Sequence, residues 1–533
     1  MQDCNKTTRV VGGKCPPARS ALHFAAPTCS RQGTTHGPGR VDQGQDGILV
    51  PGAYAPYLYF WPNLVTVRQP GLNNRTPGAI TAQVVGGGST INAMVWLKGD
   101  KQDYDAWGSL GNSGWIWQDM LPYLLKDFTA PDAAFTATAN ISGDDWIRGH
   151  SGPLRNSYPN YFCPGSANWW NAANEVGLPP GVFWIPSALD ASTISRNYAK
   201  LNHYDRVNDS RPNYHLLTSN VVCKVLFRGK TAVWVSYPST TGGDPACTSE
   251  VYAAKEVVLA AGGFGTPKIL QLSGVGPKRL LQKLGIRLVE DLPGVGQNLQ
   301  DQPTLAVPYN STNATYNAEQ RALSDTVRQG AYTTVNSLST QIGVVSLQAA
   351  ASSYQDIIAA SKAADPADSL PVDVDATVLA GYKAQREAIV NQFASNVRVG
   401  TVHWGTPLID FRTATDPIDL RAYSAVFRKN CDLFAAPSMQ ALGPTEAAPF
   451  GVHLTADEQI AAVMRDQINP TNAHQCSTAA MMPRQLGGVK GLRVADISFW
   501  PFQLSGPPQA TMYASAERLA DLIEKEYCLA GAC

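Results

Sequence analysis

KEVVLAAGGFGTPKILQLSGVGPKRLLQKLGIRLVEDLPGVGQNLQDQ, residues 255–302, combines a short strand pattern, a helix pattern and a series of glycines. The apolar run Val257–Leu259 is typical of a buried strand, and it leads into Gly262 and Gly263. Thr266 and Pro267 then predict a turn, after which apolar residues at 269, 270 and 272 predict a helix. Because glycine lets a backbone approach a ligand closely, the stretch indicates contact with a large, flat molecule. An ordinary strand, loop and helix with glycines at helix ends is the alternative interpretation.

The composition favours a small-molecule partner. The 533 residues are enough for two or more domains with a large core. The 42 Lys and Arg balance the 42 Asp and Glu, and no basic block resembles a surface for nucleic acid or anionic membrane. The sequence holds no run of 18 apolar residues, so we expect no membrane span.

The compartment stays open on sequence grounds. The start MQDCNKTTRVV lacks the basic and then apolar order of a secretory signal, so the chain as written is expected in the cytosol. However, ten cysteines without a C-x-x-C pair and six N-x-[ST] sequons also suit a secreted glycoprotein. Cys528 and Cys533 would close a short loop if they were oxidised. The sequons begin at Asn5, Asn74, Asn140, Asn208, Asn310 and Asn313.

Further elements lie on both sides of the opening stretch. The segment 211–227 predicts a strand, and TAVWVSY, residues 231–237, predicts its hairpin partner. Residues 304–400 become polar and then Ala-rich, which indicates a second, more variable domain. Residues 492–495 predict a strand, and an amphipathic pattern predicts a closing helix over 509–527. Its buried stripe is expected to contain Ala514, Leu519, Leu522 and Ile523.

Several segments resemble the sequence motifs of one enzyme family and occur in the same order. GGGSTINAMVWLKGDKQDYDAW, residues 86–107, and GGFGTPKILQLSGVGPKRLLQKLGI, residues 262–286, resemble the two signatures of the glucose-methanol-choline (GMC) flavin oxidoreductases. DLPGVGQNLQDQ, HQCSTAAMMPR and SFWPFQLSGPPQATMYASAERLADLI fit the same family in the same order. The resemblance covers about residues 46–527, and it is closest in style to fungal aryl-alcohol oxidase-like and secondary-metabolite dehydrogenases.

This resemblance implies an α/β fold, α+β overall, with a doubly wound FAD-binding domain and an inserted antiparallel-sheet substrate domain. Residues 1–303 would form the FAD-binding region, 304–470 the substrate-binding region, and 471–533 a segment that returns to the FAD domain. FAD is the implied cofactor, and no metal is implied. The family's flavin contacts correspond to Gly87, Gly88, Asn92, Ala93, Met94, Val222 (by its backbone, against the adenine), Asp496 and Ile497.

The family's catalytic base corresponds to His474. FAD accepts a hydride while a protein base removes the proton of the substrate hydroxyl, and an imidazole suits that task near neutral pH. The resemblance therefore implies oxidation of the CH–OH group of a small aromatic or polyketide-derived alcohol, in fungal secondary metabolism. The electron acceptor would be oxygen or another molecule.

The N-terminal region departs from the family pattern. Val10, Val11, Gly12 and Gly13 begin a dinucleotide fingerprint, but residues 14–17 read KCPP. No Asp or Glu lies between Asp3 and Asp42, so the usual partner of the ribose is missing as well. The fingerprint is degenerate, and we hypothesise that residues 14–45 come from an incorrect gene model or a degenerate exon.

The catalytic region also departs from the family. Pro507 stands where relatives carry a second catalytic His or Asn, and proline offers neither a side-chain donor nor a base. Stabilisation of the developing alkoxide would then come from His474 alone, from a neighbour such as Gln503, or from neither. Gln302 stands where many relatives have His, and the segment 487–498 is shortened. Two alternatives follow: a catalytically impaired scaffold or binding protein, and a non-redox FAD-containing lyase.

Overall fold

A computed structural model describes most of the chain from residue 64 to residue 527. The described residues are 64–92, 95–126, 149, 152–154, 156, 165–178, 189–190, 195–196, 198–218, 220–237, 249–311, 346–394, 412–450, 454–481 and 488–527. The predictions for the N-terminal fingerprint, for Ala93 and Met94, and for the loop closed by Cys528 and Cys533 fall outside them.

Short strands and longer helices alternate in the described part of the chain. The strands are β1 Leu189–Asp190, β2 Ser195–Arg196, β3 Lys224–Arg228, β4 Thr231–Tyr237, β5 Ser249–Tyr252, β6 Val257–Leu259, β7 Val275–Gly276, β8 Glu290–Asp291, β9 Tyr309–Ser311, β10 Pro444–Glu446 and β11 Leu492–Val494. The α-helices are α1 Gly88–Ile91, α2 Lys101–Ser109, α3 Trp117–Leu124, α4 Gly165–Glu175, α5 Arg206–Asn208, α6 Gly262–Leu272, α7 Lys278–Lys283, α8 Leu347–Ala350, α9 Tyr354–Ala363, α10 Ala376–Phe393, α11 Pro417–Ala435, α12 Pro437–Gln440, α13 Asp457–Gln467 and α14 Gln509–Glu526. Within the described ranges, none of the helices is long and apolar enough to cross a bilayer.

Two parallel strands bring the opening stretch and the C-terminal segment together. β6 pairs with β11, with Val257 opposite Leu492 and Leu259 opposite Val494. Both predicted strands are confirmed, and all three residues of β6 are buried. Because the carboxyl ends of parallel strands meet at one edge, the segments that follow β6 and β11 start side by side.

The helix after β6 starts earlier than the sequence indicates. α6 begins at Gly262 and runs through Thr266 and Pro267, so the predicted turn at these two residues is wrong. Pro267 has no N–H to donate to the carbonyl of Gly263 four residues earlier. The hydroxyl of Thr478 donates to that oxygen instead, at 2.6 Å, and this contact from a distant segment replaces the missing helical hydrogen bond.

The predicted hairpin is confirmed. β3 and β4 pair antiparallel, and β5 adds to the other edge of β4. β3 begins at Lys224, so Val221 and Val222 lie before the strand. Val225 on β3 packs with Val257 and Leu259 of β6, which attaches the hairpin to the parallel pair.

The described part of residues 304–470 is mostly helical. It contains α8 to α13 and one antiparallel pair, β9 with β10. α11 and α13 share a core with Leu420, Phe427 and Ile460 at its centre. The domain boundaries at 303 and 470 stay a prediction.

The closing helix α14 is confirmed, but its buried face differs from the predicted stripe. Ala514 is fully buried beside Trp500 and Phe502, whereas Leu522 is 36% exposed. The N-terminal half of the helix enters the core and its C-terminal half reaches the surface. Its buried residues are Ala510, Thr511, Tyr513, Ala514, Ser515 and Glu517.

Candidate active site

A buried carboxylate holds the segment that carries the predicted base. Oδ1 of Asp301 accepts hydrogen bonds from the backbone N–H groups of Gln302 at 2.7 Å, Asn472 at 3.0 Å and His474 at 3.2 Å. Its Oδ2 accepts from the hydroxyl of Thr471 at 2.5 Å. Burial raises the pKa of Asp301 to about 6, while these donors act in the opposite direction. One side chain therefore fixes the backbone before and at His474.

The backbone continues this attachment beyond His474. Gln300 and Cys476 exchange two backbone hydrogen bonds, of 3.2 and 2.9 Å. Ala473 and Ser477 have positive φ values of 60° and 68°, a conformation that L side chains rarely adopt. The segment around His474 thus follows a sharply turned path along residues 300–302.

The imidazole of His474 is only partly exposed and has a defined partner. Its Nδ1 lies 2.7 Å from Oε1 of Gln302. Loss of hydration lowers the pKa of His474 to about 4. The ring is therefore neutral at neutral pH, which is the state that a base requires.

Gln302 also contacts the segment that precedes α14. Its Nε2 donates to the carbonyl oxygens of Leu504 at 3.0 Å and Gly506 at 3.1 Å. Pro507 comes directly after this contact and is partly buried. The structure thus connects His474 and the Pro507 region through one side chain.

Gln503 lies within the same segment. Its backbone N–H donates to Oε1 of Gln300 at 2.9 Å, and the residue is buried. Both polar atoms of its side-chain amide are buried without a hydrogen-bond partner among the described residues. A buried amide of this kind is costly unless a ligand group satisfies it.

The glycine loop before α1 borders open space. Gly87 has φ 57° and ψ −143°, and Gly88 begins the helix. A Cβ atom added at either position meets no atom of the described residues within 4 Å, whereas at Gly86 it would lie 2.5 Å from Oγ1 of Thr90. The predicted contact Asn92 ends α1. A surface of bare backbone therefore lies at residues 87 and 88.

A second open glycine lies where β6 and β11 end. Gly262 has φ 76°, and in the part of the chain that the structure describes, nothing lies within 4 Å of a Cβ atom added here. Its N–H donates to Oδ2 of Asp496 at 3.0 Å. The same carboxylate accepts from Thr266 at 2.5 Å and from the N–H of Ser498 at 2.8 Å, and burial raises the pKa of Asp496. The predicted contact Asp496 thus uses its side chain to join α6 to the segment after β11.

Ile497 and Val222 complete the predicted contacts. Ile497 is partly buried, and its carbonyl accepts the N–H of Ser477 at 3.2 Å, so it adjoins the His474 segment. Val222 is partly buried, and its side chain packs on the core that contains β6. The structure places Ile497 against the segment that follows His474, and the cofactor roles of Asp496, Ile497 and Val222 stay predictions.

These features fit FAD. Open backbone at Gly87, Gly88 and Gly262 offers the close approach that a flat ring and a pyrophosphate require. The unsatisfied amide of Gln503 adds polar groups that a ligand can bind. Within the described residues, no group of three or more His, Cys, Asp or Glu is placed to hold a metal ion.

The sequence did not identify Asp301 and Thr471 as part of the site. Asp301 is visible at the end of the opening stretch, but its partners at 471–474 follow about 170 residues later. A pattern within one segment does not reveal such a contact. For Gln302 the sequence indicates only a departure from the family pattern.

Comparison with known proteins identifies the family. The family model for the GMC oxidoreductase N-terminal region matches residues 25–183 and 199–304, and the C-terminal model matches residues 394–516. Dehydrogenase xptC of Emericella nidulans is 43% identical over 92% of this chain and 88% of its own length. Patulin synthase of Aspergillus clavatus is 29% identical, over 85% of this chain and 80% of its own length.

Solved structures show the same fold. An FAD-dependent oxidoreductase from Chaetomium thermophilum is 59% identical, with a TM-score of 0.84 over 92% of this chain and 94% of that one. A fungal aryl-alcohol oxidase is 27% identical, with a TM-score of 0.76 over 96% and 94% of the two chains. The family models and the relatives show that this chain belongs to the GMC oxidoreductase family and is an FAD-dependent oxidoreductase.

Proposed function

We propose that this enzyme oxidises the CH–OH group of a small aromatic or polyketide-derived alcohol. The observation that carries the proposal is the partly buried imidazole of His474, with Nδ1 bound to Gln302 and its segment adjoining Ile497. Burial lowers its pKa, which favours the neutral form. When bound, FAD supplies an acceptor for the hydride that leaves the alcohol carbon. His474 takes the hydroxyl proton, and a carbonyl product results.

Other residues of this chain bind and orient the partners. Gly87, Gly88 and Asn92 would follow one side of the cofactor, and Asp496 and Ile497 would lie near its ring. Val222 would contact the adenine by its backbone. Since Pro507 offers no donor, the buried amide of Gln503 is the group that we assign to stabilise the developing alkoxide.

The names of relatives support this class of substrate. Dehydrogenase xptC and patulin synthase are fungal proteins, and a 27% identical relative is an aryl-alcohol oxidase. The structure of the Chaetomium thermophilum relative contains a butanamide fragment with pyridinyl and thiophenyl rings. An aromatic alcohol and a place in fungal secondary metabolism are consistent with these relatives. The final electron acceptor would be oxygen or another small molecule.

A flavin-reduction assay tests the proposal. Purified holoenzyme is mixed anaerobically with a panel of benzylic, allylic and polyketide-derived alcohols, and flavin absorbance is followed. We expect bleaching by at least one aromatic or polyketide-derived alcohol and formation of the matching carbonyl product. A colourless protein that does not take up FAD would favour a scaffold. Yellow protein that no alcohol reduces but that cleaves a cyanohydrin would favour a lyase.

A further inference from the structure

We propose that Gln302 is a positioning residue that fixes the tautomer of His474, so that Nδ1 carries the proton and Nε2 presents its lone pair. The inference rests on the proposed function of His474 as a base. It explains how a chain with Gln at a position where many relatives have His can keep one imidazole nitrogen ready to accept a proton.

The orientation of the Gln302 amide follows from its surroundings. Leu504 and Gly506 present carbonyl oxygens at 3.0 and 3.1 Å, and a carbonyl oxygen only accepts hydrogen bonds. The amide atom that faces them must therefore be the NH₂ group, and both of its hydrogens are used. If the amide were reversed, its oxygen would face two other oxygens, so the opposite assignment is excluded on chemical grounds.

The orientation of the amide fixes the proton on the ring. Oε1 of Gln302 faces Nδ1 of His474 at 2.7 Å, and an amide oxygen has no hydrogen to donate. Nδ1 is therefore the donor. A neutral imidazole carries one N–H, so Nε2 is left as the acceptor.

Backbone hydrogen bonds hold Gln302 and His474 close to each other. The N–H groups of Gln302 and His474 both donate to Oδ1 of Asp301, at 2.7 and 3.2 Å. The same buried carboxylate therefore holds the backbone of both residues, which keeps their side chains next to each other. The contact of Gln302 with Nδ1 resembles the way the third member of a catalytic triad holds its imidazole in one tautomer.

A purely structural role is the competing interpretation, because Gln302 also ties residues 504–506 to the site. Two variants separate the roles. Gln302→Met keeps the length of the side chain but removes its three side-chain hydrogen bonds, to Leu504, Gly506 and His474, and leaves the backbone bond to Asp301 in place. Gln302→Glu keeps an oxygen acceptor for Nδ1 and adds a negative charge beside the ring, while it loses the donor to Leu504 and Gly506.

Two readouts test the proposal. Nitrogen NMR of protein labelled with ¹⁵N only in histidine gives the tautomer directly, with the His474 signal identified by its loss in His474→Gln. We expect the Nδ1–H form in the wild type and a mixture of tautomers in Gln302→Met. With a reactive alcohol, Gln302→Met should lower kcat at least about tenfold at unchanged FAD content. Gln302→Glu should move the acid limb of kcat/KM upward by about one pH unit or more, because a nearby carboxylate favours the imidazolium.

The proposal is overturned by an Nε2–H form in the wild type, or by an unchanged spectrum and kcat in Gln302→Met. It is also overturned if the acid limb of Gln302→Glu stays in place. If Gln302→Met does not fold, the shift of the acid limb of kcat/KM in Gln302→Glu decides whether the proposal holds. If no alcohol reduces the flavin, the proposed function fails, and the nitrogen spectrum still tests the role of Gln302.

Discussion

The carboxylate of Asp301 accepts the backbone N–H of His474 at 3.2 Å, although 173 residues separate the two along the chain. Asp301 closes the glycine-rich stretch that follows β6, and His474 begins the segment that leads to β11. The parallel pairing of β6 with β11 brings these two parts of the chain together. The same contacts that hold the fold therefore place the proposed base.

Replacing Asp301 with Asn should destabilise the protein. Four donors face this carboxylate, and an amide nitrogen in place of one oxygen would face a donor. We expect a loss of about 1–3 kcal/mol in the free energy of unfolding, measured by denaturant titration. Asp373→Asn is the matched control, because that residue is 68% exposed beside Arg279 and should change stability little. Equal, small effects of both variants would contradict this role of Asp301.

Substitution of Gly88 with Ala should weaken FAD binding without harming the fold. Gly88 is the first residue of α1, and an added methyl group meets no atom within 4 Å among the residues with a described position. If FAD lies there, overpacking by about 1–3 kcal/mol should weaken its binding by about 5- to 140-fold. Titration of apo-protein with FAD measures the change.

Gly381→Ala serves as the control for that experiment. Gly381 lies inside α10, an added Cβ also meets no described residue within 4 Å, and Ala favours a helix. It should bind FAD as the wild type does and be slightly more stable. If both variants bind FAD with the same affinity, the glycine loop is not part of the cofactor site.

The pH dependence of kcat/KM should show a low acid limb. Burial lowers the pKa of His474 from 6.5 to about 4, so the base stays neutral until the pH falls toward 4. Activity should therefore be nearly constant from pH 6 to 8 as far as His474 is concerned. The buried Asp301 carboxyl, whose pKa is raised to about 6, could also produce an acid limb, so the comparison uses Asp301→Asn. An acid limb near pH 6.5 in both the wild type and Asp301→Asn would contradict the lowered pKa of His474.

The same shift predicts how stability changes with pH. Between about pH 4 and 6.5 the unfolded chain binds more protons at His474 than the folded chain does. The contribution of this residue to stability is thus present above pH 6.5 and is lost as the pH falls toward 4. Thermal unfolding of wild type and His474→Gln across this range should show the steeper acid loss in the wild type. Parallel curves would count against the lowered pKa.

Replacing Gln503 with Met should separate stability from activity. Both polar atoms of this buried amide lack a partner among the described residues, so removing them should leave stability unchanged or raise it by about 1 kcal/mol. If the amide stabilises the alkoxide, kcat should fall by about 100-fold or more. Steady-state kinetics and thermal unfolding measure the two effects. A variant with wild-type kcat would show that Gln503 is not the missing donor.

Local patterns explain what the sequence predicted. β6, the β3–β4 hairpin, β11 and α14 follow from apolar runs and amphipathic spacing, which depend on neighbouring residues only. The family motifs then identified the FAD-binding fold. The role of each cofactor-binding residue stays a prediction, because family alignment assigned it.

Contacts between distant segments explain the errors. Pro267 fits inside α6 because the hydroxyl of Thr478 donates to the carbonyl oxygen of Gly263, to which a proline cannot donate. Leu522 is exposed because only the first half of α14 enters the core. The anchoring by Asp301 likewise depends on residues at 471–474. None of these contacts can be predicted from the residues that neighbour them in the sequence.

Anaerobic flavin reduction in His474→Gln tests the central claim most directly. The holoenzyme is mixed with the alcohol that reduces the wild type fastest, and His215→Gln, at an exposed histidine, serves as the control. We predict that His474→Gln keeps its FAD but is reduced at least about 100-fold more slowly, while His215→Gln matches the wild type. Reduction of His474→Gln at the wild-type rate would show that His474 is not the base.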